Sequence, residues 1–269
     1  MTQPPWKNSI AITGAGSGFG AALARLYAAR GWRVAVTDID ESRARRTLAE
    51  IDKHGGDNFC MQLDVANALH WQQLYESIER HWGGLGVLVN NAGVAAAGNI
   101  EETSIEDWAW VLDIDLMGVV RGCHQFAALM KRQESGHIVN ISSFAGLAGL
   151  PFIAAYGVAK AGVVALSEAL RAEMRPYGVG VTVACPAFVK TGLLDTFRAT
   201  RPDAHAKVAR WMETSGVTAG QVAEDIAEAV RADRFLLLTH SQTRGPWRLK
   251  RWFPGIYYRM LAKRSPGPG

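Results

Sequence analysis

The stretch that most constrains this chain is residues 9–31. Ser9 to Thr13 (SIAIT) is a short buried-strand pattern that runs directly into Gly14-Ala15-Gly16-Ser17-Gly18-Phe19-Gly20, after which Ala21 to Gly31 is Ala- and Leu-rich with apolar residues at helical spacing. A glycine cluster by itself is more often only a turn. Here a strand precedes it and a helix follows, which is the first unit of an open parallel α/β sheet, with a helix N-terminus free to hold a pyrophosphate.

The rest of the chain repeats the alternation. Strand patterns occur at 32–37, 59–63, 85–89, 138–141, 179–184 and 235–238, and helical spacing fills the gaps between them. This predicts a parallel sheet covered by helices on both faces. The second strand ends in Asp38, at the distance from the glycines where a carboxylate accepts hydrogen bonds from an adenosine ribose. A carboxylate there repels a 2′-phosphate, so NAD is favoured over NADP, while nearby Arg43 keeps NADP as the alternative. A second reading has Asp38 or Asp40 simply capping the helix that begins near Glu41. Asn67 is placed as the cap of a helix whose Trp71, Leu74, Ile78 and Trp82 share one stripe. Asn90-Asn91-Ala92-Gly93 follows the fourth strand, where small residues and amides allow a cofactor to pass closely. In the helical region 104–132, Asp115 lies among apolar neighbours and calls for a partner. Residues 192–216 show no clean period and are assigned to a substrate lid spanning about 188–216.

The stretch from Gly136 to Lys160 carries the candidate chemistry. Ser143 stands at a strand end, Tyr156 lies thirteen residues on, and Lys160 four beyond, one helical turn away on the same face. A fixed ammonium favours the phenolate of a neighbouring tyrosine, which can then exchange a proton with an alcohol or carbonyl oxygen that a serine hydroxyl holds in place. The plainer reading is a buried tyrosine and a surface lysine on an ordinary helix.

Length and composition narrow the classes. With 269 residues, 48% of them hydrophobic, there is enough chain for one domain with a large core. No apolar run reaches membrane-spanning length, and the first residues, MTQPPWKNS, lack a signal-peptide pattern, so a cytoplasmic location is expected. Cys60, Cys123 and Cys185 fit neither a disulfide framework nor a zinc site, and no metal is expected. The formal charge of +4 is a property of the end of the chain. Residues 244–269 hold seven Lys or Arg and no acid, which leaves residues 1–243 slightly acidic and argues against a nucleic-acid partner.

Taken together, these residues resemble the short-chain dehydrogenase/reductase family over about residues 7–240. Thr13, Gly14, Gly18 and Gly20 match its TGxxxGxG motif and Asn90 to Gly93 its NNAG motif; the serine, the YxxxK pair and the Pro186 to Thr191 segment follow in the family's order. The resemblance implies a single doubly wound Rossmann-fold domain with a seven-stranded parallel sheet. It implies Tyr156 as general acid/base, Ser143 as the donor that positions the substrate oxygen, and Lys160 as the group that holds the nicotinamide ribose and lowers the pKa of Tyr156. Cofactor contacts are implied for Gly14, Ser17, Gly18, Phe19, Gly20, Asp38, Asp64, Val65, Asn91, Ala92, Gly93, Pro186, Val189 and Thr191. Ser142 is expected to be structural. Two positions depart from the family's pattern: Asp115 stands where an asparagine usually supports a proton relay, and Ala187 replaces a glycine. An ion pair or shared water between Asp115 and Lys160 would place Asp115 with the catalytic set and raise the optimum pH.

The expected function is therefore an NAD(P)-dependent oxidoreductase interconverting a hydrophobic secondary alcohol and its ketone, with Leu147, Leu150, Phe152, Phe188, Leu193, Phe197 and Trp211 as candidate lining. The alternative is a dinucleotide-binding redox sensor or scaffold without turnover. The resemblance also implies a homodimer or homotetramer built on helices around 104–132 and 154–175. The segment 244–269 interleaves aromatic and basic residues, with Ile256, Tyr257, Met260 and Leu261 as a short apolar stripe. Packing on the protein is its default reading, with contact to an anionic membrane surface, closure over the active site of its own or a neighbouring subunit, or packing in an oligomer as the alternatives.

Overall fold

A computed structural model describes residues 4–264. Strand β1 (Ser9–Ile12) has all four side chains buried, as expected of a β-branched segment with helices on both faces. It is followed by α1 (Gly18–Ala29), β2 (Arg33–Asp38), α2 (Glu41–Ile51), β3 (Phe59–Gln62), α3 (Ala68–Trp82) and β4 (Val87–Asn90). The Asn67 side chain caps α3 by accepting from the Leu69 N–H, and Trp71, Leu74, Ile78 and Trp82 form its buried stripe.

After the two-residue strand β5 (Ala96–Ala97), α4 (Ile105–Leu112) passes through one wide π turn (Asp113–Met117) into α5 (Gly118–Gln133) without leaving the helical path. Strand β6 (Gly136–Ile141), the short helix α6 (Phe144–Ala148), the long helix α7 (Ala154–Met174) and β7 (Val179–Ala184) come next. The lid region contains more regular structure than its sequence predicts, namely β8 (Arg198–Ala199) and the twelve-residue α8 (Pro202–Glu213). The chain closes with α9 (Ala219–Arg231), β9 (Leu236–Leu237), α10 (Ser241–Trp252) and α11 (Pro254–Arg264). Helix α10 runs through position 243, and residues 265–269 of the predicted tail lie outside the described residues.

Seven strands form one parallel sheet in the order β3-β2-β1-β4-β6-β7-β9. The order reverses between β1 and β4, so a crevice opens at the C-terminal ends of those strands. One face packs on Trp71, Leu74, Phe126, Val163 and Leu170 from α3, α5 and α7; the other packs on Leu23, Tyr27, Ala44, Val222 and Ile226 from α1, α2 and α9. This is the doubly wound arrangement expected from the sequence. Among the described residues no helix is long and apolar enough to cross a membrane, and no group of three His, Cys, Asp or Glu could hold a metal ion.

One core residue gives the fold a pH dependence. His137 on β6 is 7% exposed and bonded through Nε2 to the Thr182 hydroxyl at 2.8 Å, which itself donates to the Arg234 carbonyl. Burial pushes its pKa from the ordinary 6.5 down to about 4, against a small opposing pull from Asp233. The unfolded chain therefore binds a proton below pH 6.5 that the folded chain refuses. Stability should fall by about 3 kcal/mol as pH drops from 6.5 to 4, and His137→Leu should flatten that part of the denaturant-derived stability profile. An unchanged slope in the variant would rule His137 out as its source.

Candidate active site

The glycine turn takes its shape from two left-handed residues, Gly14 (φ +62°) and Gly18 (φ +52°). A Cβ on Gly14 would lie 2.9 Å from the Ala92 Cα, and one on Gly18 would lie 3.0 Å from the Thr191 Cβ. Asn91 fastens this turn to the end of β4: its Nδ2 donates to the Thr13 and Gly14 carbonyls at 2.8 and 3.1 Å, while the N–H groups of Asn91 and Ala92 donate to the Thr13 hydroxyl. Ser17, at the start of α1, makes no capping bond with its side chain. The first-turn N–H groups of α1 are thus left for an anionic ligand, as a pyrophosphate requires. Gly14, Ser17, Gly18 and Phe19 line the cleft. Gly20 is placed behind it, where a Cβ would run into the Gly14 carbonyl and the Asn91 amide. Its role is the close packing of helix on turn.

At the far end, Asp38 is 7% exposed and accepts from the N–H groups of Gly16 and Asp40, each at 3.0 Å. The two acids divide the readings offered by the sequence. Asp40 caps α2 through the N–H groups of Ser42 and Arg43, and Asp38 stays on the cleft wall. Arg43 also lines the cleft, with its guanidinium 3.4 Å from both Asp40 and Asp195. Asp195 is a residue the sequence reading missed; its only signal is an acid in a short turn four positions after Thr191. Asp64 and Val65 form the adjoining wall, where the Asp64 carboxylate accepts from Ala66 N–H.

The candidate catalytic residues converge at the other end. Lys160 and Tyr156 sit one turn apart on α7, the ammonium 5.7 Å from the phenol ring centre. Lys160 is 3% exposed; its Nζ donates to the Ile141 carbonyl at 3.1 Å and lies 3.0 Å from Asp115 Oδ2. The π turn brings Asp115 here, and its Oδ1 accepts the Val94 N–H at 2.7 Å. Ser143 caps α6 by accepting from Ala145 N–H and donates to the Pro186 carbonyl at 3.4 Å, and it lines the same end of the cleft as Tyr156. Ser142 donates to the Lys160 carbonyl at 2.7 Å, fixing α7 against the end of β6. Gly93 passes directly over the Asp115–Lys160 pair.

Electrostatics here differ from the expectation drawn from the lysine alone. Burial raises the Tyr156 pKa, Lys160 pulls it down, and the Asp115 charge adds to the rise, so the phenol is held above its ordinary value. Burial disfavours charge on Lys160, but Asp115 and Tyr156 outweigh it and hold the ammonium charged. The Asp115 carboxyl is pushed up by burial and pulled back by Lys160 and the Val94 N–H.

The segment after β7 closes one wall. Pro186, Val189 and Thr191 line the cleft, together with apolar Leu150, Phe188, Leu193, Phe197, Val208 and Met212. Ala187 has no left-handed backbone, so the absent glycine leaves no φ strain, and its N–H donates to His240 Nδ1 at 3.3 Å. Two of the expected lining residues lie elsewhere. Leu147 packs on the core, and Phe152 adopts φ +70° with its ring beneath Arg201, outside the cleft. The Trp211 side chain lies outside the described residues. The segment expected to form a lid is pinned to the body by Arg198, which pairs with Asp107 at 2.8 Å and stacks on Trp110, and by an Arg201–Glu102 pair at 3.1 Å.

A family model described as short chain dehydrogenase matches residues 8–202. A curated relative, "Probable oxidoreductase EphD" of Mycobacterium tuberculosis, is 39% identical over 188 residues, 70% of this chain; the match spans only about a third (32%) of that relative's length. The "3beta-hydroxysteroid dehydrogenase 1" of Eggerthella lenta is 32% identical over 223 residues, covering 82% of this chain and 84% of the relative. Among solved structures, a short chain dehydrogenase/reductase from Burkholderia phymatum in complex with NAD superposes with a TM-score of 0.86 at 33% identity, covering 100% of this chain and 99% of that one. A match that begins in the strand before the glycine turn and runs into the lid helix, on a fold shared end to end with a solved member, means that this chain belongs to the short-chain dehydrogenase family of oxidoreductases.

Proposed function

We propose that the protein interconverts an apolar secondary alcohol and its ketone with a nicotinamide dinucleotide as hydride carrier. The observation that carries this reading is the convergence of Ser143, Tyr156 and Lys160 at one end of a cleft whose other end offers an uncapped helix N-terminus. Gly14, Ser17, Gly18 and Phe19 would hold the pyrophosphate, Asp38 the adenosine ribose, Asp64 and Val65 the adenine side, and Lys160 the nicotinamide ribose; Asn91, Ala92, Gly93, Pro186, Val189 and Thr191 complete the cofactor wall. When bound, the dinucleotide supplies or accepts the hydride. The chain's own residues manage the oxygen. Ser143 donates a hydrogen bond to it, and Tyr156, whose pKa lies above the ordinary value, gives its proton to a ketone oxygen at neutral pH. Taking a proton from an alcohol needs the phenolate, so oxidation should gain on reduction as pH rises. Leu150, Phe188, Leu193, Phe197, Val208 and Met212 favour an apolar substrate body, a class to which the steroid named for the Eggerthella relative also belongs.

NAD is the proposed partner because the Asp38 carboxylate faces the ribose site while Arg43 is already engaged by Asp40 and Asp195. Setting a phosphate against a buried carboxylate costs several kcal/mol, so kcat/KM should favour NAD over NADP on the order of a hundredfold, and Asp38→Ala should narrow the ratio. A wild-type preference for NADP would overturn the Asp38 argument alone. The whole reading is tested by following nicotinamide absorbance with a panel of apolar alcohols and ketones. Tight NADH binding without turnover across the panel would favour the sensor alternative. Exposed Ile105, Met117 and Val158, on or beside α4, α5 and α7, support a homo-oligomer built on those helices, which sedimentation velocity would test.

A further inference from the structure

The last two helices have a surface that the catalytic reading does not use. Trp247 packs them on the core, and two hydrogen bonds tie them to α6: the Tyr257 hydroxyl donates to the Ala148 carbonyl at 2.9 Å, and Lys250 Nζ donates to the Leu147 carbonyl at 2.5 Å. With Tyr257 turned inward and buried, its neighbours are turned out. Trp252 is 72% exposed and Phe253 59%, and Ile256, Tyr258 and Met260 are also exposed. Five large apolar side chains within nine positions is a concentration found nowhere else among the described residues; the other exposed ones are scattered singly.

Basic residues border this patch. Arg248, Arg251, Arg259 and Lys263 are all exposed, no acid occurs from position 244 onward, and among the described residues none of these four cations forms an ion pair with a carboxylate, whereas Arg244 faces Asp225. Trp252 and Phe253 stand at the break between α10 and α11, where Phe253 leaves helical geometry ahead of Pro254. We propose that α10 and α11 form a peripheral docking surface for a bilayer rich in anionic phospholipid. Aromatic and aliphatic side chains enter the boundary between headgroups and acyl chains, and the surrounding cations meet the lipid phosphates. A second copy docked tail to tail fits this surface less well, because it would set one acid-free cationic segment against another. Neither helix spans a bilayer, so attachment is reversible and depends on charge. The end of α6 gripped by Lys250 and Tyr257 leads two residues on to Leu150 on the cleft wall, which puts the docked surface beside the apolar end of the cleft. The inference rests on the tail and stands whether or not the proposed reaction is correct.

The test is co-sedimentation of the full chain with vesicles of phosphatidylcholine alone or mixed with phosphatidylglycerol. Binding should occur on the mixed vesicles, be absent on the neutral ones, and fall about tenfold between about 0.1 M and 0.5 M salt. The double variants Trp252→Ala with Phe253→Ala and Arg251→Glu with Arg259→Glu should each weaken partitioning about tenfold or more, with melting temperature and gel-filtration mass unchanged. Equal binding to neutral vesicles, or no binding to anionic ones at low salt, would overturn the proposal. So would variants that change oligomeric mass while partitioning as the parent does, since the surface would then be covered by another copy.

Discussion

Replacing Tyr156 with Phe is expected to lower kcat by about three orders of magnitude while leaving NADH affinity and melting temperature close to the parent's. The phenylalanine keeps the ring and its packing on α7 and removes only the hydroxyl of a residue that lines the cleft. The lost group would donate the proton to the ketone oxygen, and nothing beside it is placed to substitute. Ser143 can hold the oxygen by a hydrogen bond, but an alcohol does not readily give up its proton, and Lys160 is held by Asp115 and the Ile141 carbonyl. Single-turnover reduction followed by nicotinamide absorbance separates the chemical step from binding. A variant within tenfold of the parent would remove Tyr156 from the mechanism.

The second large effect is on stability. Asp115→Ala should cost about 3–5 kcal/mol and lower the melting temperature by roughly 10 °C, because it strands a buried ammonium and leaves the Val94 N–H without its acceptor. Since Lys160 is held above its ordinary pKa, the stability its charged form gains from Asp115 is fully present at neutral pH and fades only in the strongly alkaline range, where the lysine gives up its proton; burial of the ionised Asp115 works against it, so the large cost falls on breaking the pair. Asp115→Asn retains an acceptor for Val94 and removes the charge, so it should be milder. It should also change the pH profile of turnover, because the carboxylate is one of the groups that raises Tyr156. Melting curves and pH–rate profiles on both variants check this. If Asp115→Ala melts within about 2 °C of the parent, the pair does not carry the role assigned to it.

The parts of this molecule most legible from sequence are those in which chemistry is confined to a few adjacent residues. The glycine turn, the Asn90–Gly93 loop and the spacing of Ser143, Tyr156 and Lys160 each obey a local rule, and the seven strands were readable because buried parallel strands are continuous apolar runs. The lid helix α8 was not legible, since it follows a two-residue strand paired with a two-residue partner, too short to show a period. Nor was the Arg43–Asp195 pair, whose partners are 152 positions apart, or the grip of Lys250 and Tyr257 on carbonyls of α6. A side chain that bonds to backbone leaves no complementary residue to find. The direction of the Tyr156 shift was missed for a similar reason: the lysine is written in the motif, whereas the degree of burial is a property of everything packed around it.

The wide turn at Asp113–Met117 also acts as a phase adjuster between two helices that would otherwise be one. A regular helix advances about 100° per residue. The wide turn takes up one extra residue within a single turn, so it is a one-residue insertion or deletion within the regular turns of α4 or α5 that would rotate everything downstream by that angle relative to everything upstream. Val111 upstream and Val119, Cys123 and Phe126 downstream are buried in different clusters and meet different neighbours. Both cannot keep those neighbours through such a rotation, so the regular turns of α4 and α5 are under tighter constraint in length than in composition, and drift in length is better absorbed in the wide turn or in the loops on either side.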